Sequence, residues 1–240
     1  MKLRGIFCRP AIVALAALFF APNIAAAQGS SSPSGSPTSK QAAAAAKSVK
    51  KSAALVDSTI ESGAVSNGVY RNKSLALSCK IPPGWVLRTD EMNAREEAPD
   101  QADAAQTGDA ASSAGAKVLL AVFSRPPAAR AEDVNASIVI AAESVASYPD
   151  LKEAAQYFFP LNEVAKAQGF SADEDPYDIA VGTKTLVRGD FHKNVGTRVM
   201  HQSTLVMLSH GYAISITVIG GTDDEVEDLI DGLSFSAPRK

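Results

Sequence analysis

Three histidines, His192, His201 and His210, recur at intervals of nine residues, and imidazoles at regular spacing could build a metal or acid–base centre. Zinc would need three or four ligands meeting at one point. Strand geometry argues against that meeting. A two-residue turn at His210-Gly211 pairs position 201 with 220, and a four-residue loop at 193–196 pairs 201 with 188. The histidines are expected not to converge, and each is assigned a structural or surface role. Cys79 lies in an apolar stretch with no histidine beside it in sequence, so it reads as a small buried hydrophobe; an intermolecular disulfide would require it to be exposed. Asp173, Glu174, Asp175 and Asp178 surround Pro176 and read as a solvated loop that could hold a cation. Asp100, Asp103 and Asp109 lack the spacing and turning glycine of a calcium loop. Arg188-Gly189-Asp190 spells an integrin tripeptide, but inside an expected strand. There is no Gly-x-Ser-x-Gly elbow, His-Glu-x-x-His helix or phosphate-binding glycine loop. No catalytic, cofactor-binding or metal-binding residue is assigned, no cofactor is implied, and the chain is not expected to be an enzyme.

The elements that carry these residues centre on Thr197 to Phe235. With His210-Gly211 as the turn, Ser209 faces Tyr212, and Leu205, Met207, Tyr212, Ile214, Ile216 and Val218 share one face. The other face mixes Gln202, Thr204, Val206 and Leu208 with Ala213, Ser215, Thr217 and Ile219, which suits a second, less deeply covered side. Gly220-Gly221 ends the strand. Thr222 and Glu225 form a capping box, and Val226, Leu229, Ile230 and Leu233 follow at helical spacing, so this helix must lie back on the sheet. Val118 to Phe123 and Ile138 to Ala142 are unbroken apolar runs, as expected of strands covered on both faces. Val69-Tyr70 and Leu75 to Cys79 read as short strands, and Ile81-Pro82-Pro83-Gly84-Trp85 as a rigid turn. There Trp85 plugs the end of the core, or stacks a ligand. Asp150 with Glu153 predicts a helix through Phe158, kinked at Pro160 and stopped at Gly169, with Phe158 and Phe159 in the core. Ile179 to Val181 and Thr185 to Phe191 complete the strands.

At the amino end, Lys2, Arg4 and Arg9 precede the apolar run Ala11 to Phe20, and Ala25-Ala26-Ala27 offers a cleavage site. Residues 1–27 read as a secretory signal, with an uncleaved anchor the weaker alternative because the run is short and Pro22 interrupts it. Residues 28–66 form a leader. Its first part is Ser, Gly, Pro and Thr, which cannot offset the entropy of ordering, and its second is rich in alanine and lysine and partly helical. Lys40, Lys47, Lys50 and Lys51 could tether it to an anionic surface, although no inserting apolar face accompanies them. The folded domain is placed at 67–237, with a disordered acidic insertion at 90–116. Without the signal the chain carries 20 basic and 26 acidic residues, a net charge of −6 that disfavours nucleic acid. It then has one cysteine, so no internal disulfide, and no transmembrane segment.

The segment Val69-Tyr70-Arg71-Asn72-Lys73-Ser74-Leu75-Ala76-Leu77, the turn Ile81-Pro82-Pro83-Gly84-Trp85, and the closing hairpin with its Thr222 helix resemble the PsbP-like domain. That is the fold of the extrinsic photosystem II protein, shared with a Ran-binding nuclear import factor. The resemblance implies an α+β fold, an α/β/α sandwich whose central, mainly antiparallel sheet is covered by helices on both faces. It also implies a non-catalytic module, with no binding residue carried over. The expected function is an exported, non-enzymatic binding or assembly module of a bacterial envelope, acting through protein partners. The alternative is a periplasmic small-ligand or cation-binding protein using the Trp85 end or the Asp173 to Asp178 loop. An enzyme would require His192, His201 and Asp190 to meet.

Overall fold

The structure, a computed structural model, describes residues 60–97, 116–126 and 133–236. Alternation of apolar and polar residues builds its centre, a hairpin of β10 (Arg198–Ser209) and β11 (Tyr212–Gly220). Ser209 pairs with Tyr212 and His201 with Gly220, the register that the alternation requires. The turn residues His210 and Gly211 have φ of 54° and 80°, both left-handed, as a two-residue turn between right-twisted strands demands.

β11 pairs with β6 (Ser137–Ser144), which pairs with β5 (Ala116–Phe123), which pairs with β4 (Val86–Leu87). On the other side, β10 pairs with β9 (Lys184–Val195). The outer edge of β9 carries both β8 (Tyr177–Val181) and β7 (Ser171–Ala172). All these pairings are antiparallel. A second antiparallel sheet runs in the order β1 (Ala64–Ser66), β2 (Val69–Asn72), β3 (Leu77–Lys80) and β12 (Leu233–Phe235).

The Ile-rich face of the large sheet, including Leu205, Ile214, Ile216 and Val218, is the main core. Tyr70, Leu77, Cys79, Leu233 and Phe235 of the small sheet pack into it. So do Val226, Leu229 and Ile230 of α3 (Asp223–Asp231). Thr222 caps α3, its hydroxyl accepting from the Glu225 amide at 3.1 Å. On the opposite side, Phe158, Leu161 and Ala165 of α2 (Phe158–Ala167) cluster with Phe191, Val206 and Ala213. The architecture is thus α+β and mainly antiparallel, as expected. Layers of helix over both faces are not shown: strands of the small sheet supply much of the cover that the sequence assigns to helices.

Other expectations are corrected. The insertion expected to be disordered from Asp90 begins as a helix, α1 (Thr89–Glu97). It forms because its polar side chains complete the edge of β5 beyond short β4. Thr89 Oγ1 accepts from the Ala121 amide at 3.0 Å. Asn93 Nδ2 donates to the Val118 carbonyl at 3.0 Å, and Asn93 Oδ1 accepts from the Val118 amide at 2.9 Å. Residues 98–115 lie outside the described residues, as do the signal and the lysine-rich part of the leader. The folded unit also starts before residue 67, since Ile60 is buried and the Glu61 and Ser62 carbonyls accept from Asn72 and Tyr70. The capping box near Asp150 sits further on: Gln156 Oε1 accepts from the Lys152 and Glu153 amides ahead of a 3-10 turn at Ala154–Tyr157. Pro160 falls in the first turn of α2, a position that tolerates proline. Phe158 is buried, but Phe159 is 77% exposed.

Candidate functional site

The same alternation that buries Leu205 aims Arg188, Asp190, His192, His201 and Ser203 toward the α3 side, because Leu205 pairs with Arg188, Ser203 with Asp190, and His201 with His192. The last pairing corrects the sequence reading. The loop between β9 and β10 is Gly196-Thr197 alone, so β9 runs on to Val195 and His201 meets His192 where position 188 had been expected.

Asp190 is the centre of this group. Its Oδ1 accepts from Arg188 Nε at 2.9 Å and from Ser203 Oγ, and its Oδ2 accepts from the Tyr177 hydroxyl at 2.8 Å. Arg188 Nη2 also donates to Glu227 Oε1 of α3 at 2.5 Å, and the guanidinium lies 5.9 Å from the Tyr177 ring centroid. Burial works to lower the pKa of Arg188, the bonds to Glu227 and Asp190 raise it, and the net direction is upward. Burial, reinforced by the bond to Asp190, pushes Tyr177 up to about 12. The network ties β8, β9, β10 and α3 together beside a cleft of about 170 Å³.

The two paired histidines diverge at their tips. His201 Nδ1 lies 2.6 Å from Asp223 Oδ1 at the start of α3, and His192 Nδ1 donates to Asp173 beyond β7. They are neighbours in the sheet, yet each has its own carboxylate, and neither is bonded to Asp190. His210 stands apart in its turn, bonded to Ser209. Ser203 donates to a carboxylate whose oxygens already serve Arg188 and Tyr177, and it is 1% exposed. The arrangement therefore holds strands and helix in place, and no nucleophile faces a free base within it.

Of the carboxylates in the expected cation loop, Asp173 bonds His192, while Asp178 lies on β8 facing solvent. Among the described residues no group of three His, Cys, Asp or Glu side chains is arranged to hold a metal. Trp85 packs half-buried against the main core. Cys79 is fully buried, and burial pushes its thiol up to about 12. Arg188-Gly189-Asp190 is not an exposed loop: both charged side chains belong to the network and Gly189 is buried under Phe158.

A second polar group, unsignalled by any motif, lies on the α2 side. Glu143, 5% exposed, accepts from the Tyr148 hydroxyl at Oε1 and the Tyr157 hydroxyl at Oε2, both at 2.7 Å. Burial and the adjacent carboxylate raise the pKa of Tyr157.

No family model matches the chain, and no curated protein matches its sequence. Several solved structures are similar to it. PsbP from the cyanobacterium Synechocystis sp. PCC 6803 is 18% identical, over 72% of this chain and 96% of that one, with a TM-score of 0.41. The Ran-binding protein Mog1p of Saccharomyces cerevisiae is 14% identical, over 64% and 76% of the two chains, with a TM-score of 0.34. LpqN of Mycobacterium tuberculosis, involved in cell envelope biogenesis, is 13% identical, over 67% and 83%, with a TM-score of 0.33. These structures are of the PsbP-like fold that the sequence motifs resemble. A likeness at this level carries no ligand, partner or activity to this chain.

Proposed function

We propose that this chain is a non-enzymatic binding or assembly module, exported by residues 1–27 to the cell envelope and acting through protein contacts. The observation that carries the reading is the commitment of its most chemically capable group. Both oxygens of Asp190 are engaged by Arg188, Ser203 and Tyr177, and each paired histidine is held by a separate aspartate. Side chains so engaged serve to fix a surface. Among the described residues no helix is long and apolar enough to cross a membrane. Cation binding has less support, because Asp173, Asp190, Asp223 and Glu227 each already face a histidine, arginine or hydroxyl donor.

The test is quantitative capture by the mature chain, residues 28–240, from envelope extracts of its source organism. A saturable partner, competed by untagged protein, is expected. Repeated capture of nothing above a denatured-bait control would overturn the reading.

A further inference from the structure

The ladder between β9 and β10 runs from Val195 and Arg198 to Val187 and Val206, and there it stops. Beyond it neither strand ends. Lys184, Thr185 and Leu186 continue to pair with β8 on their outer side. Met207, Leu208 and Ser209 continue to pair with β11. The two stretches are held from outside and part from each other like the arms of a fork. Among the described residues no backbone hydrogen bond closes the gap.

A cleft of about 280 Å³ occupies the fork, lined by residues 184–187 and 207–209 together with Lys152, Ala154 and Asp178. Lys152 and Lys184 are exposed, and neither ammonium has an ion pair or hydrogen bond with a described residue. Asp178 is the one acid in the lining, so positive charge prevails. Leu186 and Met207 add buried apolar surface between the lysines and the ladder.

Backbone N–H and C=O groups facing a cleft across from one another are matched best by a ligand that presents the same groups at strand spacing. An extended peptide does this, and it is the basis of strand addition at open sheet edges. The free ammoniums select carboxylates along that peptide. We propose that the fork between β9 and β10 is the docking site for a short, extended, acidic segment of a protein partner, which continues one or both ladders and sets its acidic side chains against Lys152 and Lys184. This rests on the protein-contact reading above and names the chemistry of the partner.

The probe is a dye-labelled peptide of alternating valine and glutamate, titrated into mature isotope-labelled chain with anisotropy and backbone-amide shifts as readouts. Saturable binding with shifts centred on Lys184–Leu186 and Met207–Ser209 is expected. It should weaken about tenfold or more in Lys152→Glu/Lys184→Glu, whose exposed sites leave folding intact by thermal melting, and also on raising salt. A control peptide of alternating valine and lysine, and the valine–glutamate peptide N-methylated at alternate residues, should bind about tenfold more weakly or not at all. No saturable binding, shifts elsewhere, indifference to N-methylation, or dodecanoate moving these amides while the peptide does not would each overturn the proposal. If envelope capture still yields a specific partner, the fork alone fails; if capture also yields none, the module reading fails with it.

Discussion

Gly189 lies against the ring of Phe158: a Cβ at position 189 would stand 2.5 Å from Phe158 Cε1. The glycine in the centre of β9 is what lets α2 approach the sheet at this point. Gly189→Ala should destabilise the domain by about 1–3 kcal/mol through overpacking, read as a lower midpoint in denaturant. Phe158→Leu should recover part of that loss in the double variant, and an unchanged midpoint for Gly189→Ala would show that the contact is looser than described.

Asp190 should be a stability residue. Its partner Arg188 is 12% exposed and Asp190 itself 17%, so Asp190→Asn leaves a mostly buried guanidinium with Glu227 as its remaining carboxylate. A loss of about 2–4 kcal/mol is expected, against about 1 kcal/mol for Ser203→Ala, which removes one donor. Equal losses for the two variants would refute the central place given to the carboxylate.

Cys79 should be silent in the folded protein. A thiol that is fully buried and pushed up to about 12 leaves little thiolate near neutral pH. Native protein comprising residues 28–240 should react with a disulfide dye at below about 0.1 thiol per chain, rising to a single thiol when unfolded. It should remain monomeric with respect to disulfides, because the exposure that an intermolecular bond requires is absent.

Alkaline pH should destabilise the domain. Cys79 and Tyr177 are pushed up to about 12 by burial, and Tyr157 is raised by burial and by Glu143. Groups whose folded pKa exceeds the unfolded value add stability that is complete below the unfolded pKa, near 9 for the thiol and 10 for tyrosine, and is lost as pH rises toward the folded one. Stability should therefore fall from about pH 9 upward. Tyr157→Phe should cost about 1–3 kcal/mol at neutral pH by stripping a donor from buried Glu143, yet show a shallower decline at high pH. A parallel decline in the two proteins would assign the alkaline loss elsewhere.

The hairpin was legible because the His210-Gly211 turn and the alternation of Tyr212, Ile214, Ile216 and Val218 with smaller or polar neighbours favour one register, and a slip of one residue would turn Ile214 and Ile216 out of the main core. The fate of His192 and His201 was not. It turns on whether the connection is four residues or two, and Gly196, at φ 63°, closes the shorter one. Asn67-Gly68 adopts φ of 52° and 69° in the turn from β1 to β2, a dipeptide that favours such turns, yet the domain boundary read from the sequence falls just before it and leaves β1 in the leader. α1 has no strong apolar stripe. Its anchor is Asn93 on Val118, across residues that carry no local signal. The Asp190 network draws on β8, β9, β10 and α3, so it could be found only once those elements were placed; the alternation of Arg188 and Asp190 within one strand was the single hint.

The final strand of the domain lies beside one of the earliest. Leu233–Phe235 completes the sheet of Leu77–Lys80, with the Lys80 amide donating to Gly232 and the Ser236 amide to Ala76, both at 2.9 Å. The small sheet therefore gains its last strand only when nearly the full length of the domain is available, so its closure is the most non-local pairing of the fold and belongs to the late part of folding.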